Sequence, residues 1–200
     1  YTRTGVVGVV GPVPAGDALL YIDGFRVGVK AAYELGLTDA EVAVQVTYTG
    51  SFGDTALATE AARTHIAAGA DILTGSAQQV PGAIEAIRGA GGLYLANQVD
   101  QSLGWPDTVL AAQAFDWTEV IKDMIAQRQA GVMGGIAYEL SLANGGMTMT
   151  VNEALAAERF GGPMGVAVLK GIINGAAQAI IDGEVDVLAL VEALEAAEAE

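Results

Sequence analysis

The residues with the widest chemical scope stand in three short polar loops, each following an apolar run. The loops are Gly50-Ser51-Phe52-Gly53-Asp54, Gly75-Ser76-Ala77-Gln78-Gln79 and Asn97-Gln98-Val99-Asp100-Gln101. A large ring in a glycine-flanked loop, Phe52, reads either as a cap on the core or as a platform on which a planar solute stacks. Asp54 precedes a helix-forming stretch and reads as its N-cap, with a part in shaping a pocket as the other option. Ser76, Ala77 and Gln78 stand just before Pro81, where small side chains and helix-start N–H groups suit a polar ligand. Gln98 and Asp100 read as hydrogen-bond partners for sugar hydroxyls or a base edge, or as solvated loop residues. These seven are the candidate ligand-binding residues.

Catalytic chemistry finds little support. The chain has no cysteine and one histidine. His65 lies mid-helix among alanines and arginine, far from any Ser or Asp pattern, and is expected at the surface or half-buried. The glycines of GVVGVVG (Gly5, Gly8, Gly11) fall mostly inside the apolar run, whereas a dinucleotide site needs them at the strand-to-helix turn. No HExxH, GxSxG or Walker spacing occurs. An enzyme on a flavodoxin-like sheet would need a constellation that is not visible, so no catalytic residue, metal or cofactor is assigned. Trp105 and Trp117 read as packing residues.

Positioning those loops requires alternating strands and helices. Residues 4–10, 41–49, 71–74, 93–97 and 108–114 have the valine content or alternation of strands. Residues 17–35, 54–68 and 81–89 have helical spacing, with Gly36 and Gly69 as stops and Leu20, Phe25, Val27 and Ala31 as core positions of the first. The pattern predicts an α/β fold with a doubly wound parallel sheet, whose carboxyl-end loops form the ligand edge. The rest reads as a helix over 117–129, short strands over 131–138 and 146–151, and helices over 163–181 and 185–200.

The 200 residues are 52% hydrophobic, enough for a sizeable core, and no run reaches the roughly 18 unbroken apolar residues of a spanning helix. The net charge of −15 makes nucleic acids and anionic membrane surfaces poor partners. The chain opens on Tyr1 and enters a strand-like run at Thr4, so it is expected to be part of a longer protein.

Taken in order, several motifs resemble the basic membrane protein (BMP) family of ABC-transporter solute-binding lipoproteins. They are VVGVVG, Tyr21 to Gly28, Tyr48 to Asp54, Ala68 to Leu73, Val99-Asp100-Gln101 and Ile180 to Val185. The resemblance runs from about Thr4 to Val187. It implies a type 1 periplasmic-binding-protein fold: two α/β lobes around a cleft, with 1–115 a complete second lobe and 116–200 the hinge crossing and closing elements of the first. It also implies a monomer at the periplasmic or outer membrane face, lipid-anchored through a missing N-terminus, delivering a purine nucleoside to an ABC permease. Phe52 then matches the base-stacking aromatic and Ser76 to Gln78 the ligand loop. Gln98 stands where many members have a ribose-binding Asp, and Ala143 where they have a Lys. A neutral Gln accepts hydroxyl bonds more weakly than a carboxylate, so a nucleobase or another small polar solute also fits. The alternative is a regulator's ligand-sensing domain with the same two-lobed fold.

Overall fold

The computed structural model describes residues 1–198. Of five parallel strands, β1 (Val6–Gly11), β2 (Ala43–Tyr48), β3 (Ile72–Gly75), β4 (Leu93–Gln98) and β5 (Val109–Phe115), the first four alternate with helices, and β5 follows β4 through a loop. The sheet order is β2-β1-β3-β4-β5-β6, with β6 (Met147–Val151) antiparallel to β5. Valine-rich β1 sits between β2 and β3, where Val9 opposes both Val46 and Thr74. Burial on both faces is what its near-continuous apolar run requires.

Helices α2 (Thr55–Ala67) and α3 (Val80–Gly89) cover one face, where Val10, Leu73, Ile84, Ile87 and Tyr94 pack together. On the other, α1 (Gly16–Glu34), α5 (Glu153–Arg159) and α6 (Pro163–Ile181) close over Val7, Ile72, Leu93 and Leu110. Phe25 and Val27 of α1 turn inward, but Leu20, expected in the core, is 57% exposed. Ile22 is fully buried in its place. Trp105 packs on the first cluster, while Trp117 is exposed with its ring edge on Phe115.

The glycines of GVVGVVG serve packing. A Cβ on Gly8 would lie 2.5 Å from the Leu73 side chain and 2.8 Å from Cβ of His65. His65 is therefore no surface residue: it is 3% exposed, pressed onto β1, with Nδ1 3.1 Å from Gln45 Oε1.

After Phe115 the chain leaves the sheet through α4 (Thr118–Gln129), which buries no side chain. No strand forms over 131–138. Gly134 and Gly135 take φ of 139° and 83°, which breaks an extended run, and no described strand lies alongside to pair with it. The chain returns at Met147, so β6, α5 and α6 share the sheet of residues 6–115, unlike the division expected at 115. The short α5, capped by the Asn152 side chain on the Leu155 N–H, was not foreseen. Helix α6 is 19 residues with mean hydropathy 1.5, long and apolar enough by length and composition to cross a membrane. It meets the sheet side through Leu169, Val166 and Ile173. The last helix, α7 (Val187–Glu198), packs on α1; the expected residues 199–200 lie outside the described ones.

Two outcomes are expected. Gly8→Ala costs about 1–3 kcal/mol by overpacking, read from denaturant unfolding. Burial lowers the His65 pKa below its ordinary 6.5, with the Val9 backbone offsetting part of the effect. The unfolded chain thus takes up the proton first, so this contribution is complete above about pH 6.5 and lost as pH falls through the folded-state value. Melting temperatures of His65→Gln fall less steeply over that window than those of the parent.

Candidate functional site

The strand order reverses between β1 and β3, because β2 lies on one side of β1 and β3 to β5 on the other. Loops leaving β1 and β3 then diverge to opposite faces and leave a crevice at the carboxyl edge. A hollow of about 410 Å³ occupies this place. Pro12, Val13 and the start of α1 line one side, and Ser76, Ala77 and Gln78 after β3 another. Phe52 after β2 and Asn97 with Gln98 at the end of β4 complete it.

Five of the seven candidate residues meet here: Phe52, Ser76, Ala77, Gln78 and Gln98. Phe52 is 56% exposed at the rim of the hollow, so it does not serve as a core cap. Ser76 is buried, yet its Oγ has no hydrogen-bond partner among the described residues. Ala77 and Gln98 adopt φ of 70° and 72°, the only left-handed residues other than glycine among those described. Such a conformation costs of order 1–3 kcal/mol at each position.

Asp54 and Asp100 do not line the hollow. Asp54 caps α2, its Oδ1 accepting from the N–H groups of Ala56 (2.9 Å) and Leu57 (3.1 Å). Asp100 accepts from the Ser102 N–H at 2.9 Å and from Thr150 Oγ1 at 3.0 Å, tying the β4 outlet to β6. Partial burial pushes its carboxyl pKa up, but the Ser102 and Thr150 hydrogen bonds outweigh this and leave it lowered. Ala143 is exposed on the excursion from the sheet, away from the hollow.

Sequence reasoning missed three contributors. Asp17 stands on the first turn of α1 and was read only as a helix start, while Asn97 was passed over for its neighbour. Gln79, fully buried, accepts from Thr49 Oγ1 at 2.6 Å and reaches the Ser76 carbonyl at 3.5 Å through Nε2, fixing the β3 loop to the β2 loop. Polarity continues below: Tyr21 shares a short hydrogen bond with Thr74, and burial lifts its pKa to about 12. Burial likewise raises Tyr94, whose buried hydroxyl has no hydrogen-bond partner among the described residues.

A family model described as Bmp, ABC transporter substrate-binding protein PnrA-like, matches residues 1–175. The chain belongs to the Bmp family. Proteins of this family are substrate-binding components of ABC transporters and not enzymes. Among curated proteins none matches. Solved structures share the fold of this Bmp chain. An ABC-transporter solute-binding protein from Conexibacter woesei DSM 14684 aligns with a TM-score of 0.63 and 23% identity over 92% of this chain and 57% of its own. One from Aeropyrum pernix K1 aligns at 0.70 and 21%, over 90% and 56%. A transcriptional activator of the comK gene from Bacillus halodurans aligns at 0.60 and 19%, over 74% and 49%. The Bmp chain thus spans about half the length of these proteins.

Because Asp54 caps and does not line, Asp54→Ala is expected to cost about 1 kcal/mol of stability in denaturant unfolding. It should leave solute affinity, measured by calorimetry, unchanged.

Proposed function

We propose that this chain carries one wall of the solute cleft of an ABC-importer receptor, and that the solute is a purine nucleoside or a related flat, polar molecule. The observation that carries the reading is the exposed Phe52 ring beside polar loops at the strand-order reversal. A flat base stacks on the ring, while Ser76 Oγ and the amides of Gln78, Asn97 and Gln98 supply donors and acceptors around it. Left-handed backbone at Ala77 and Gln98 sets how the β3 and β4 outlets turn beside these groups.

The opposite wall belongs to a second lobe, to which the segment 116–146 contributes. The chain leaves and rejoins the sheet side by side, with the Asp116 N–H on the Gly146 carbonyl at 2.9 Å, which suits a hinge. Lobe closure traps the solute, and the closed monomer is read by a membrane permease at the periplasmic or outer face, where a lipid anchor holds the receptor. A regulator's sensing domain would use the same hollow; the likeness to the comK activator speaks only to the fold.

Calorimetric titration of the full-length protein with purine nucleosides tests the reading. Phe52→Ala is expected to lose about 1–3 kcal/mol of affinity. Equal affinity in parent and variant removes Phe52 from the site.

A further inference from the structure

Resting on the same hollow but going beyond the stacked base, we propose that the solute carries a cationic group, a protonated amine, held by the Asp17 carboxylate and the Phe52 ring. The inventory of the hollow argues for this first. Among the described residues, Asp17 is the one ionisable side chain lining this wall, beside no Lys, Arg or His. Its surroundings argue next. Asp17 is exposed on the first turn of α1 and has no hydrogen-bond or ion-pair partner among the described residues. Water and the start of α1 satisfy this exposed carboxylate while the hollow is open, and a solute that brings a cation gains an ion pair with it as it binds.

Phe52 contributes the second half. Phe52 is exposed and lines the same hollow as Asp17, and the face of an aromatic ring attracts a cation. The remaining polar groups, Ser76 Oγ and the amides of Gln78, Asn97 and Gln98, are neutral and serve the uncharged part of the solute. The net charge of −15 reinforces the preference by drawing cations toward the surface and repelling anions. A phosphorylated solute would meet Asp17 with no basic side chain in the lining to offset it.

The test compares adenosine, 5′-amino-5′-deoxyadenosine and adenosine 5′-monophosphate by calorimetric titration of the full-length protein at low salt. The amine is expected to bind about fivefold more tightly than adenosine, and the monophosphate more weakly than either. Asp17→Asn should bring the amine down to the affinity of adenosine, and added salt should narrow the gap in the parent. An amine no tighter than adenosine, or a gain that survives Asp17→Asn, overturns the proposal. If none of the three binds, the purine reading fails by itself. Phenethylammonium against 2-phenylethanol then decides, because both lack the base and keep a phenyl ring, and only the ammonium carries the charge. An Asp17-dependent preference for the ammonium supports the cation site, and its absence there sinks it.

Discussion

Parallel pairing of β1 to β5 constrains everything at the site. Strands that run the same way end on the same edge, so loops distant in sequence must converge there. Pro12 after β1, Phe52 after β2, Ser76 after β3 and Asn97 at the end of β4 meet because the sheet leaves their loops one side on which to emerge. The order β2-β1-β3 then opens a crevice between two of those loops. The same constraint demands that both faces be covered. Small residues such as Ala58, Ala61, Ala62 and Ala83 bring α2 and α3 close together, and the long α1 lies across the second face.

The segment between β5 and β6 obeys a different logic. On α4, Ile121, Met124 and Ile125 share one face by helical spacing, and all three are more than half exposed. Val132, Met133 and Ile136 continue that apolar surface, while Tyr138 donates to Asp123 and folds the segment back on α4. Apolar area of this extent is unusual on an isolated domain. Under the two-lobed reading it is the underside of elements that cover another sheet.

Much of the fold was legible because its signals are local. Valine runs ended by Gly-Pro, an Asp before an alanine-rich helix, and Pro81 at a helix start each carry their own physical cause. What escaped depends on tertiary context. His65 reads as a surface residue from its neighbours, and only the space left by Gly8 makes room to bury it. Asp17 and Asn97 gain their places from the geometry of loops that come together, which periodicity does not encode. Asp54 and Asp100 went the other way: each satisfies a local hydrogen-bonding need, one at a helix start and one across to Thr150, and so is turned from the hollow. The strand expected over 131–138 was an apolar run without a partner, and a strand is defined by what pairs with it.

The two left-handed residues separate what a turn needs from what a site needs. If the outlets of β3 and β4 required only a tight change of direction, glycine would supply it without strain, as it does at Gly50 after β2. Ala77 and Gln98 instead bear the steric cost in adjacent outlets, and both line the same hollow. At position 98 the retained side chain is a long amide, able to donate and accept, at the rim where a solute would lie. Under the proposed function, the strain is balanced against having that amide in that place for recognition of a solute.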